Sequence, residues 1–137
     1  MKKILPLLLV VLSAAIAHAQ PASPLDGTWR GRSDGGSCNA PLDYAITIDE
    51  GFVDGTAFDT TAHGPVPNLR KAPPPPPGPG LWQLHGVVKS GSFTVLAVAS
   101  VKHNDRRTER LTVTPQGRAL LVVEGGDCGR TARLERK

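Results

Sequence analysis

Cys38 and Cys128 are the two cysteines of this 137-residue chain, and the chemistry open to them is a disulfide or part of a metal site. A structural zinc site needs four ligands at short spacings, such as paired CxxC motifs or CxxC with histidines. Neither cysteine sits in a CxxC pair or beside a histidine, so a disulfide is the expectation. The other candidates for acid, base or ligand are scattered. His63 adjoins a proline-rich segment, His103 falls in a turn, and His85 lies on a strand face with Gln83. A histidine does acid–base work only where a carboxylate or nucleophile meets it in space, and nothing in these spacings imposes that meeting. Asp49, Glu50 and Asp54 offer the hard oxygens that calcium takes, without the loop spacing of an EF-hand; they read as a solvated hairpin turn. HExxH, a Walker loop and CxxC are all missing. The expectation is a non-enzymatic protein with no catalytic residues, no metal and no cofactor.

Compartment decides the state of the cysteines. The chain begins MKKILPLLLVVLSAAIAHAQ, with two lysines, an apolar run from Ile4 to Ile16 and the small-x-small sequence Ala17, His18, Ala19. That is the pattern of a secretory signal peptide of bacterial type over residues 1–19, cut after Ala19. A membrane anchor needs about 18 to 20 apolar residues, and Gln20, Pro21 and Pro24 follow too soon. With no cysteine at the cut, lipid attachment is not expected there. Residues 20–137 would then be released to the periplasm or the medium, an oxidising setting in which a Cys38–Cys128 disulfide forms.

The elements that must position these residues alternate with the period of strands. Gly27–Arg32 (GTWRGR) sets Trp29 among polar neighbours, and Leu42–Asp49 (LDYAITID) puts Leu42, Tyr44, Ile46 and Ile48 on one side. After the turn Glu50–Gly51, Phe52–Thr60 forms a third strand with Val53, Gly55 and Ala57 together. The pattern resumes at Leu81–Val88, then Ser92–Lys102, where Phe93, Val95, Ala97, Ala99 and Val101 share a face. Arg107–Thr114, Ala119–Glu124 and Cys128–Arg136 complete the series. No segment after residue 19 has a helical period. About eight strands joined mostly by short turns predict an all-β fold, an antiparallel barrel or sandwich stapled by one disulfide.

Between the third and fourth strands runs a segment that regular structure cannot contain, His63–Gly80, with APPPPPGPG at its end. Three strands before it and five after would each leave a sheet with unmanaged edges, and a Cys38–Cys128 bridge would tie the two sides together. The segment therefore reads as a stiff Pro-rich loop interrupting a single β domain over 20–137. In an up-and-down barrel the first and last strands must pair to close the sheet, and with Cys38 just after the first and Cys128 opening the eighth, the disulfide would staple that seam.

Gly27, Thr28 and Trp29 on the first strand, with an arginine near the C-terminus, resemble lipocalins and related calycins; LDGTWRG followed by DGTAFDTT is similar to the opening strands of avidin-type barrels. The likeness covers about a quarter of the chain. It implies a small secreted β-barrel whose floor is closed by Trp29 with a late arginine, Arg133 or Arg136, packed over it; the set expected at the floor is Trp29 and Arg133. Trp82 is the only other tryptophan, so the further tryptophans that enclose biotin in avidins have no counterparts.

Charge completes the reading. The formal net charge is +4, and the stretch from Lys102 onward carries nine basic against five acidic residues. Arg30 and Arg32 on the first strand would meet Arg130, Arg133, Arg136 and Lys137 across a closed seam, with Arg106, Arg107 and Arg110 adding to a basic face. Such a face attracts an anionic envelope component, or else is a solvated edge that discourages strand addition. Ala97, Ala99, Gly55 and Ala57 either leave room for a small hydrophobic ligand, as in a lipocalin-like carrier, or let opposite walls approach. The proline loop could offer polyproline II residues to a partner's groove, although a stiff spacer is the simpler role. Few aromatic residues and a modest charge argue against nucleic acid, and no second apolar run is long enough to span a membrane. The expected function is a non-enzymatic exported binding or envelope-interaction protein; a hydrophobic-ligand carrier is the alternative and a hydrolytic enzyme the distant one.

Overall fold

In LDYAITID the alternation is realised residue by residue: Leu42, Tyr44, Ile46 and Ile48 are buried, whereas Thr47 and Asp49 are exposed. The computed structural model describes residues 23–59, 80–100 and 106–137. The expected signal peptide, nearly all of the Pro-rich loop, His63 and His103 lie outside the described residues.

Eight strands follow one another: β1 (Gly27–Arg32), β2 (Leu42–Asp49), β3 (Phe52–Asp59), β4 (Leu81–Val87), β5 (Phe93–Ser100), β6 (Arg106–Gln116), β7 (Ala119–Glu124) and β8 (Thr131–Arg136). Each pairs antiparallel with the next, and β1 returns to β8 through Trp29 opposite Arg136 and Arg30 opposite Glu135, so the sheet is a closed barrel in meander order. Strands from both sides of the Pro-rich segment thus share one sheet. Tight turns explain the order. At the β2–β3 hairpin Glu50 and Gly51 both take positive φ, 48° and 79°, the backbone twist that a two-residue hairpin requires.

Inward positions carry the apolar side chains. Ile46, Leu84, Val95, Leu111, Leu120 and Leu134 have 2 % exposure or less, while the outer surface shows Thr, Arg, Asp and Gln together with the exposed apolar side chains of Phe52, Leu81, Val87, Leu96 and Val123. The small residues fill rather than hollow the interior, since Ala57, Ala97 and Ala99 are themselves buried. A Cβ on Gly31 would drive into the Arg133 carbonyl, and one on Gly55 into the Ala45 carbonyl. These glycines let neighbouring backbones approach where the sheet curls to close.

The two ends are finished differently. At the floor, Trp29 donates its indole N–H to the Leu25 carbonyl at 2.8 Å. The Arg136 guanidinium lies 4.6 Å from the centre of the Trp29 ring and donates to the carbonyls of Asp26 at 2.9 Å and Pro24 at 2.7 Å. The floor arginine is therefore Arg136 and not Arg133, because inward positions on β8 are even-numbered and Arg133 faces solvent. At the opposite rim, Cys38 and Cys128 are bonded, with Cα atoms 5.1 Å apart, inside the usual range for a disulfide. Cys128 does not open β8, as expected, but sits three residues before it. The chain there is still turning: Gly129 has φ 58° and donates to the Gly126 carbonyl. The bridge joins two rim connections beside the seam, tying the β1–β2 connection to the β7–β8 connection.

Two measurements check this frame by denaturant unfolding. Cys38→Ser with Cys128→Ser opens a loop of 90 residues and should lower stability by about 2 to 4.6 kcal/mol. Gly31→Ala should cost about 1–3 kcal/mol by forcing β1 off β8, because the new Cβ would meet the Arg133 carbonyl.

Candidate functional site

Alternation along β1 sends Trp29 inward and Arg30 and Arg32 outward. Across the sheet Arg30 stands opposite Ala45 and Arg32 opposite Asp43, and β3 adds Thr56 and Phe58 on the same outer face. Lys137 continues β8, its backbone N–H held by the Thr28 carbonyl at 2.9 Å. These side chains line an open groove of about 550 Å³. Arg32 Nη1 donates to both oxygens of Asp43, at 3.1 and 3.2 Å, a charge-assisted contact between exposed side chains. Arg30 forms no ion pair among the described residues. The groove thus combines three cations, one acid and the apolar surface of Phe58 and Ala45.

Not every expected arginine joins that face. Arg133 is exposed on the outer side of β8. Arg130 precedes β8 at an inward position and is 7 % exposed, and Arg136 is committed to Trp29. Strand parity separates them: residues 130, 132, 134 and 136 share the inward side, residues 131, 133 and 135 the outward. Arg106, Arg107 and Arg110 are exposed on β6, two strands away from β8 in the barrel order. The expected continuous basic face resolves into separate patches, of which the Arg30–Arg32–Lys137 groove is the concave one.

Inside the rim lies a second arrangement that the motif search passed over. Glu124 ends β7 at an inward position, with a side chain 1 % exposed, and its Oε1 accepts from Arg130 Nη1 at 2.7 Å. Its Oε2 accepts from the Arg130 backbone N–H at 3.1 Å. Arg130 Nε is buried without a partner. Glu109, inward on β6 and half-buried, meets Glu124 diagonally across the β6–β7 pair. Burial first, then hydrogen bonding to Glu124 and that residue's charge, push the Glu109 carboxyl up to about 7 against the partial relief of Arg130. Tyr44, buried on β2, is raised well above the usual phenol range by burial and by the charge of Glu124. The signal was present in the sequence: Glu109 has the parity of Leu111 and Val113, and Glu124 that of Leu120 and Val122. An acid on an apolar face is the mark of a buried charge in need of a partner.

The remaining candidates stay apart. His85 Nδ1 is 2.8 Å from Asp54 Oδ1, but both side chains are largely exposed, and no hydroxyl or thiol is hydrogen-bonded to the ring among the described residues. Asp49 and Glu50 are exposed at the β2–β3 hairpin, and no group of three His, Cys, Asp or Glu side chains is arranged to hold a metal ion among the described residues. No protein-family model, curated protein or solved structure matches the chain.

The carboxyl pair has a measurable consequence. Glu109 holds its proton more tightly folded than unfolded, with about 7 against 4.5. Its contribution to stability is full below about pH 4.5 and is lost as pH rises through about 7. Glu109→Gln should abolish that decline, leaving the variant more stable than wild type at pH 8 when both are unfolded in urea. Parallel stability curves from pH 4.5 to 8 would contradict the assignment.

Proposed function

We propose that the protein is an exported, non-enzymatic binding module that takes an anionic envelope component in the outer groove of β1, β2 and β3. The observation that carries this reading is the groove itself: Arg30, Arg32 and Lys137 converge on a concave surface of about 550 Å³ that also offers Phe58. Arg30 has no ion-pair partner among the described residues to satisfy it first. Guanidinium groups suit phosphate and carboxylate, with bidentate hydrogen bonds added to charge, and an aromatic wall contributes area where the ligand is less polar. A calycin-type ancestry is part of the same proposal, supported by the closed meander barrel and by Trp29 beneath Arg136 at the floor.

Carriage of a hydrophobic ligand within the lumen is the weaker reading. Leu84, Val95, Ala99, Leu120 and Leu134 touch no water-sized space, each having zero exposure. Interiors packed to this degree resist added volume. The export route rests on the leader pattern of residues 1–19.

The test uses soluble lipopolysaccharide as an anionic probe. Arg30→Glu with Lys137→Glu should weaken binding at least about tenfold, since each reversal removes a cation and adds a repulsion, and raising salt should weaken the wild type in the same direction. Arg110→Glu, on a different patch, should bind nearly as well as wild type. Equal binding by the groove variant and wild type would refute the reading.

A further inference from the structure

The β7–β8 connection, residues 125–130, is held at its base and at its tip by different forces. At the tip, Cys128 is bonded to Cys38. Ser37 adds its backbone N–H to the Cys128 carbonyl at 2.9 Å and its hydroxyl to the Asp127 carbonyl at 2.9 Å. At the base, Glu124 receives two hydrogen bonds from Arg130 and donates its own backbone N–H to the Arg130 carbonyl at 2.9 Å. Gly125 donates to the Arg110 carbonyl at 2.8 Å. Gly126 then passes so close to Glu109 that a Cβ there would come within 2.7 Å of its carboxyl carbon. The base of the connection therefore rests on two carboxyl groups and one guanidinium.

We propose that Glu109, Glu124 and Arg130 form a proton-operated latch, which holds the base of the 125–130 connection closed while Glu109 and Glu124 share a proton and loosens it once both are ionised. A single buried guanidinium balances one carboxylate. Arg130 is already spent on Glu124, and its Nε has no partner, so a second negative charge on Glu109 meets no matching buried cation among the described residues. Like charges in a low-dielectric site repel strongly. The other groups facing the pair add to the imbalance: Asp127 in the connection is negative, and Tyr44 on β2 stays neutral because burial disfavours its ionisation. Arg107, two residues before Glu109 on the same side of β6, is exposed at the rim, where solvent screens it. Burial of Glu109 sets the switching point near neutrality. Relief comes through the segment pressed against the Glu109 carboxyl, which is Gly125–Gly126, while the disulfide keeps the tip in place.

The latch is tested in the intact protein by amide hydrogen exchange followed by NMR, expressed as protection factors so that the intrinsic base catalysis of exchange is removed. As pH rises from about 4.5 to about 7 the Arg130 and Gly125 amides should lose protection, by up to about tenfold per pH unit because opening then releases one proton, and level off above that, while the Ser37 amide, tied to Cys128, keeps its protection. In Glu109→Gln the base amides should stay protected throughout. A carbon-13 titration of the wild-type carboxyl groups supplies a readout independent of any variant, with Glu109 expected to titrate near neutrality. Base protection that is constant from pH 5 to pH 8, base and tip amides that loosen together, or Glu109 titrating at the ordinary glutamate value would each overturn the proposal.

Discussion

Closure of the sheet between β1 and β8 is the constraint from which the other features follow. An eight-stranded barrel is just wide enough for side chains to fill, and away from the rim the inward positions here are apolar and of the right size, or absent. Gly31 shows the limit, since the Arg133 backbone occupies the space where its side chain would be. Closure also creates two open ends. The floor is covered by Ser23–Asp26, whose carbonyls are collected by Trp29 and Arg136, and the rim is tied by a disulfide between the connections that flank the seam.

The rim is where charge enters the interior. Burying an ion pair brings a desolvation cost that only good geometry offsets, and Glu124 meets that condition by accepting from both the side chain and the backbone of Arg130. Such a pair fixes the path of the connection more than it stabilises the fold, because β7 must end, and β8 begin, where the two hydrogen bonds require. Glu109 is the unbalanced member. Its neighbours have left one guanidinium for two acids, and that shortage couples the rim to the proton concentration outside.

The outer wall obeys a different rule. Side chains there answer to solvent and to their cross-strand neighbours, so Arg32 pairs with Asp43 while Arg30, opposite Ala45, does not. The side chains at these positions, with Thr56, Phe58 and Lys137, border the groove. Basic residues on β6, three strands from β1 and from β3 in the barrel order, lie on another part of the wall and contribute only to the long-range potential.

Local pattern was enough to establish much of this architecture. Alternation in LDYAITID and SFTVLAVASVK, and the turn at Glu50–Gly51, define the strands but not whether they close as a barrel or stack as a sandwich, because the period of a strand and the dihedral needs of a tight turn are properties of a few adjacent residues. Pairing of Cys38 with Cys128 was legible for a different reason: only one partner existed for each. The arginines were harder to place. Arg130, Arg133 and Arg136 look alike in the sequence, yet one is buried against Glu124, one faces solvent and one stacks on Trp29, since inward or outward placement depends on where β8 starts and that start is set by the turn at Gly129. The meeting of Glu109 with Glu124 is likewise a product of register between β6 and β7. What the sequence by itself determined is the set of strands and the covalent staple; the tertiary structure alone decided which charges share an interior, because proximity across a closed sheet depends on register and parity that no short stretch of residues contains.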